Sequence, residues 1–300
     1  MIRPKNLKNA SELLQDAQAR DYGLGGIETW DQTSLKAALE VAAETNSPMQ
    51  ILVGGPEVKT IGITVFTKMA FQYIAEASVP ICLHLDECPD VDTIMNCLEA
   101  GFSSVHFDGM FEGAELDFNT NVRITKQVVK AAAACNASVE ASLGAMPFSK
   151  QGTASELIGD DELGKGLTDV DEAVEFVAQT GINVLAPSVG NIHALYKEYM
   201  PEPNLELARR IHKATGLPLS LHGSTGATDK QVRQLISCGF RKVNIGTRLM
   251  EIYRQTMRSA VNKYQGYPCA FKILDECRLA MKREVTRLVT EVYGSSDKAR

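Results

Sequence analysis

Short apolar runs alternate with amphipathic helical patterns along almost the whole chain, and this alternation constrains the fold more than any other feature. Eight runs read as strands: Gly25–Ile27, Met49–Val53, Ile81–Leu85, Ser104–Phe107, Ser138–Leu143, Val184–Ala186, Leu217–Leu221 and Lys242–Ile245. Between them, Ser34–Thr45, Asp90–Ala100, Asn121–Ala134, Asp169–Gln179, Asn204–Ala214 and Asp229–Cys238 space apolar residues at three and four, the period of a helix with one buried face. Gly101, Gly181, Gly216 and Gly239 follow four of these helices, at the position where a helix commonly stops. Eight β–α units in 300 residues predict an α/β fold, a (β/α)8 TIM barrel, as a single domain over residues 1–300. A doubly wound open sheet is the alternative, but no GxGxxG follows the first strand. The segment 144–167 is rich in Gly, Ser and acids, lacks periodicity and follows the fifth strand. In a barrel it lies over the mouth, and it reads as a mobile active-site loop, with a surface insertion as the plainer alternative.

A hydrophobic fraction of 44% is ample for a buried core, and a net charge of -6 argues against nucleic-acid binding, which needs a basic surface. It leaves room for a small phosphorylated ligand, because backbone amides and a metal can hold one. Seven cysteines, an odd number with no CxxC pair, read as reduced thiols in a cytoplasmic protein. No apolar stretch follows Met1–Lys5, so no secretory leader is expected, and no run is long enough to cross a membrane.

Polar residues gather where strands end, which in a barrel is the catalytic face: Asp86, Glu87 and Cys88 after the third strand, Asp108 after the fourth, His193 after the sixth, His222 after the seventh, and Asn244 and Thr247 at the eighth. Glu140 lies within the fifth. The turns in Leu221–Gly226 and Lys242–Thr247 can hold a phosphate with backbone N–H groups. Two imidazoles and a carboxylate, His193, His222 and Glu87, suit Zn²⁺ or a related divalent ion. Asp86 beside them reads as a general acid/base, with a helix cap or strand-end ion pair as the plain alternative. Cys88 is an outside candidate for a soft ligand. His84 and His106 read as hydrogen-bonded barrel-interior residues, and His212 as peripheral.

These residues resemble the class II, metal-dependent ketose-bisphosphate aldolases, which include fructose- and tagatose-bisphosphate aldolases. Leu83-His84-Leu85-Asp86 resembles the family's HLDH, and Ala100–Val105 with Asp108-Gly109 its AGFxSVxxDGS. Ser138–Ala141 resembles SVEAELG, Val189-Gly190 with His193–Lys197 resembles GTxHGxYK, His222–Gly226 resembles HGGSG, and Asn244–Thr247 resembles NxxT(D/E). The resemblance implies a metal-dependent aldolase that cleaves a phosphorylated ketose to dihydroxyacetone phosphate and an aldehyde. Asp86 would be the proton donor and acceptor at the aldehyde oxygen, and His193 and His222 metal ligands. Gly223, Ser224, Thr225, Asn244, Ile245, Gly246 and Thr247 would bind dihydroxyacetone phosphate, with Ala194 where the family has a phosphate-site glycine. A homodimer is also implied.

The departures fall unevenly. Glu87 stands where the family has its third metal-ligating His, Ser142 replaces a Glu, Ala145-Met146 a Gly-Gly, and Arg248 an acid. Gly26-Ile27-Glu28 replaces the AFN motif, and Gly54-Gly55-Pro56 a serine-containing loop. The phosphate half is kept while the metal corner and the early loops change. Two other readings stay open here: a catalytically impaired sugar-phosphate-binding paralogue, and a metal-independent lyase or isomerase in which Asp86 and Glu87 share proton transfer.

Overall fold

Each strand pairs in parallel with the next, and the eighth returns to the first, so the sheet closes on itself. The computed structural model describes residues 2–111, 115–146, 166–193, 202–266 and 269–299. In chain order these form α1 (Ala10–Ala19), β1 (Leu24–Glu28), α2 (Gln32–Glu44), β2 (Met49–Gly54), α3 (Gly55–Ile61), α4 (Ile63–Glu76), β3 (Ile81–Cys88), α5 (Val91–Ala100), β4 (Ser104–Phe107), α6 (Phe118–Ala134) and β5 (Ser138–Leu143). Then follow α7 (Val170–Thr180), β6 (Val184–Pro187), α8 (Leu205–Thr215), β7 (Leu219–Leu221), a 3-10 turn (Ser224–Gly226), α9 (Asp229–Ser237), β8 (Phe240–Ile245), α10 (Thr247–Lys263) and α11 (Ala270–Arg287). This is the (β/α)8 barrel expected from the alternation, and its closure rules out the open sheet. Most of the expected loop 144–167 lies outside the described residues.

Side chains alternate across each strand, and the two faces differ sharply in chemistry. Outward residues such as Ile27, Ile51, Leu83, Val105, Val139, Leu185, Leu221 and Val243 form one apolar cluster with the inner faces of the helices. Inward positions carry polar groups instead: Gln50, His84, His106, Glu140, Ser220, Lys242 and Asn244 are all buried. Register stacks them, with Gln50 beside Cys82, His106 beside Glu140 and Ser220 beside Lys242. At the N-terminal ends of the strands, α1 closes the barrel with Leu13, Leu14 and Ala17 against Leu24, Cys82 and Val184. A capping box, in which Asn9 accepts from the Glu12 amide, starts that helix.

Most strands differ from the expected bounds by one or two residues, and at β3 and β7 the reason is physical. β3 continues past the apolar run through Asp86 and Glu87, because a bulge between Leu85 and Cys88 shifts its register against β4. β7 begins at Leu219, after Pro218, which has no N–H to give a ladder. Gly101, Gly181 and Gly216 end α5, α7 and α8 in the left-handed conformation, as expected.

Candidate active site

A cavity of about 230 Å³ opens at the C-terminal ends of the strands. Its walls bring together Asp86 and Glu87 from β3, His193 beyond β6, His222 with Gly223–Thr225 after β7, and Asn244, Gly246 and Thr247 from β8. A larger concavity of about 740 Å³, at the other end around Arg3, Lys5 and Lys68, gathers no carboxylate or imidazole.

Beneath the cavity floor a single ammonium organises the charges. Lys242, fully buried, places Nζ 3.1 Å from Asp86 Oδ1, 2.7 Å from Glu140 Oε2 and 3.2 Å from His84 Nε2. The ammonium donates to Asp86 Oδ1 and His84 Nε2 and forms an ion pair with Glu140 Oε2. Burial and the adjacent ammonium push the His84 imidazole down to about 4, so its Nε2 accepts from Lys242 and its Nδ1–H donates to Ser104 Oγ at 2.8 Å. Burial alone would raise the Asp86 and Glu140 carboxyls. Lys242, with the neighbouring imidazoles, outweighs it and holds both well below the usual carboxylate range. Asp86 Oδ2 also accepts from Asn244 Nδ2 at 2.8 Å.

His222 lies between two carboxylates. Its Nε2 is 2.6 Å from Glu140 Oε1 and its Nδ1 is 2.8 Å from Glu87 Oε1. Burial opposes its protonation, but Asp86, Glu140 and Glu87 together raise its pKa well above the ordinary value. His193 Nδ1 comes within 3.4 Å of the same Glu87 oxygen. Glu87 is aimed there by the bulge, with a left-handed φ of 44° and its amide donating to His106 Nδ1 at 3.2 Å. A non-glycine residue rarely adopts this conformation.

One atom each from Glu87, His193 and His222 lie within 4.8 Å of one another. Two imidazole nitrogens and a carboxylate oxygen around a cavity match the donor set of a divalent site with an open position. His222 Nε2 is taken by Glu140, which fixes the ring and directs Nδ1 toward that set. A second group, Asp86, His106, Glu140 and His222, lies deeper. Its carboxylates are already engaged by Lys242.

Two helical starts face the cavity without a side-chain cap: the turn at Ser224, and α10 at Thr247. Such starts leave N–H groups free for an anion. Gly223 makes the first possible, since its φ is 69° and a Cβ there would lie 2.1 Å from the Ile192 carbonyl oxygen. Ser224 Oγ donates to the Asn244 carbonyl and ties the two turns together. Around the rest of the rim stand Glu28, at the end of β1, and Glu57, in the first turn of α3.

Fructose-bisphosphate aldolase class-II is the family model that matches, over residues 8–298. The chain belongs to the class-II fructose-bisphosphate aldolase family. A fructose-bisphosphate aldolase of Geobacillus stearothermophilus is 32% identical over 98% of this chain and 99% of that protein. A sulfofructosephosphate aldolase of Alkalicoccus urumqiensis is 29% identical over 96% of each. The crystal structure of the YdjI aldolase from Escherichia coli K12 superposes with a TM-score of 0.81 at 28% identity, over 98% of this chain and 100% of that one.

Within this class-II barrel, the sequence-expected site residues divide clearly. Asp86, Glu87, His193, His222, Gly223, Ser224, Thr225, Asn244, Gly246 and Thr247 share the cavity. Ile245 packs its side chain into the apolar layer, leaving only its backbone at the rim. Ala194 lies outside the described residues. Cys88 turns away from the cavity toward the Asp90 carbonyl, and burial raises its thiol to about 11, so it is not a ligand candidate. Asp108 accepts from the Met110 amide in its own turn. His212 Nδ1 donates to the Leu217 carbonyl, away from the site. Lys242 is the residue the sequence reading missed. Its signal was available: a charge inside a β-branched run, two positions before Asn244 and therefore on the same inward face.

Proposed function

We propose that this chain is an aldehyde-lyase that cleaves a phosphorylated ketose to dihydroxyacetone phosphate and an aldehyde, using a divalent metal, Zn²⁺ by its donor set. The observation that carries this reading is one cavity that joins two uncapped helical starts to a His-His-Glu donor group and a buried, ionised aspartate. Glu87, His193 and His222 would hold the ion. When bound, it supplies a Lewis acid that stabilises negative charge on the ketone oxygen as the carbon–carbon bond opens.

The chain's own residues supply the rest. The amides of Gly223–Thr225 and Gly246–Thr247 bind the phosphate and fix the ketose end against the cavity wall. Asp86, kept ionised by Lys242 and oriented by Asn244, takes the proton from the hydroxyl that becomes the aldehyde oxygen. The bonding electron pair passes to the dihydroxyacetone half as an enediolate. In the condensation direction Asp86 returns that proton. Glu140 holds the His222 ring in one orientation, and His222 must give up its Nδ1 proton to act as a ligand. The exposed Phe271 and Leu274 on α11 support the homodimer expectation.

Metal analysis with a cleavage assay over a panel of ketose phosphates tests this. The expected result is one divalent ion per chain and a fall in kcat of about 10²–10⁴ in Asp86→Asn. No bound metal and no turnover on any member overturns it. Full activity after exhaustive chelation overturns the metal assignment.

A further inference from the structure

The rim of the cavity is chemically lopsided. Two of its helical starts are uncapped, at Ser224 and Thr247. The third, at α3, also has no side-chain cap, but Glu57 stands in its first turn and the Gly54 amide at its start faces the Glu28 carboxylate. The cavity's capacity for anions is thus spent at this third start by the protein's own carboxylates. Among the described residues that line it, none is Lys or Arg. Lys242 lies below the floor and is matched by Asp86 and Glu140.

A second observation is independent of the acids. Asn244, only 8% exposed, uses its amide nitrogen on Asp86, while its Oδ1 has no hydrogen-bond partner. That oxygen lies over Gly26, where the missing Cβ leaves it without a neighbour, and a donor from a ligand or a water can satisfy it. Glu28 and Glu57 present further acceptors. Burial, with Asp86, Glu57 and Glu87 close by, also raises the Glu28 carboxyl well above its ordinary value. That is the mark of a region already crowded with negative charge.

We infer that the aldehyde half of the substrate carries hydroxyl donors and no charged group, so that this chain acts on a ketose monophosphate and not on a bisphosphate. The inference rests on the aldolase reading for the word substrate, but its physical content is a binding preference. One phosphate sits on the amides of the β7 and β8 turns. A second, carried by the distal carbon, would lie against the Glu57 carboxylate, which no Lys or Arg among the described lining residues offsets, and against the buried Glu28 carboxyl, which is already held toward its neutral form. A unit charge about 7 Å from a carboxylate at an effective dielectric of about 20 is disfavoured by roughly fiftyfold, and salt trims this toward tenfold.

The test uses non-cleavable probes and calorimetry on the metal-loaded protein: a hexitol 1-phosphate, the hexitol 1,6-bisphosphate and a 6-amino-6-deoxyhexitol 1-phosphate. The monophosphate is expected to bind at least about tenfold tighter than the bisphosphate. Glu57→Gln, which keeps the side-chain shape, is expected to narrow that ratio severalfold. Equal or tighter binding of the bisphosphate overturns the inference, and so does a ratio that Glu57→Gln leaves unmoved. Tighter binding of the amino compound than of the hydroxyl compound by more than about tenfold overturns the uncharged tail in favour of a cationic one. The two readings fail separately. A monophosphate preference without cleavage of any ketose phosphate removes the aldolase reading alone, while cleavage with a bisphosphate preference removes this inference alone.

Discussion

Replacing Lys242 with Met should destabilise the barrel more than any surface change. The ammonium is fully buried at 3.1 Å from one carboxylate and 2.7 Å from another. At an effective dielectric of about 20, each such pair attracts by roughly 5–6 kcal/mol, against which stands the several kcal/mol needed to strip the ammonium of water. Methionine fills a similar volume but leaves Asp86 and Glu140 buried without their ammonium. The expected loss is about 3–5 kcal/mol, the range for breaking a buried pair on one side. Urea denaturation can be followed by the single tryptophan, Trp30, whose ring meets Tyr253 edge-on at 5.3 Å near the rim. Adding Glu140→Gln to Lys242→Met should recover part of the loss, because one unpaired charge is removed with it. A coupling energy near the top of the usual range of about 0.5–3 kcal/mol is expected from the double-mutant cycle. A loss below about 1 kcal/mol, or strict additivity of the two substitutions, would refute the ammonium as the organiser of this cluster.

Three further outcomes follow from the same geometry. Glu28 has a raised folded-state pKa, so its contribution is fully favourable below the unfolded value of about 4.3 and is lost as pH rises through the folded value. Glu28→Gln, which does not titrate, should match the parent near pH 4 and exceed it in stability at pH 8; equal urea midpoints at both pH values would remove the crowding argument. Both amide atoms of Gln50 are buried without a partner, so Gln50→Leu is expected to be neutral or stabilising by about 1 kcal/mol, and a loss above that would show that the amide is satisfied in solution. Zn²⁺ at a hundredfold over its Kd should stabilise the protein by about 2.7 kcal/mol; the thermal shift should vanish in Glu87→Ala, and its persistence would move the ion away from Glu87.

The layered fold was legible because its cause is periodic. Apolar runs and three-four spacing reflect the outward strand faces and inner helix faces, which touch each other and little else. The catalytic rim was legible through residue type at strand ends. What escaped was the interior. His84 and His106 were correctly read as hydrogen-bonded barrel residues, but nothing in a single strand tells which strand across the barrel supplies the partner. Lys242 reaches Asp86 only because β8 closes beside β1 and near β3. Asp86, which has no partner at capping spacing in the sequence, has two partners across the barrel, Lys242 and Asn244, and a third, His84, on its own strand. The bulge at Glu87 was equally hidden, since it depends on the register between β3 and β4.

Ring closure carries a consequence for how the protein is made. β1 and β8 are far apart in the chain, yet Leu24 lies opposite Lys242 and Gly26 opposite Asn244. Contacts of such long sequence separation carry a large loop-closure entropy and form late. Until β8 docks, Asp86 and Glu140 lack their ammonium and the β8 half of the phosphate grip is missing. Ligand binding should therefore appear in a single step with the slowest refolding phase, and phosphate-ligand affinity becomes a direct clock for the moment the barrel shuts.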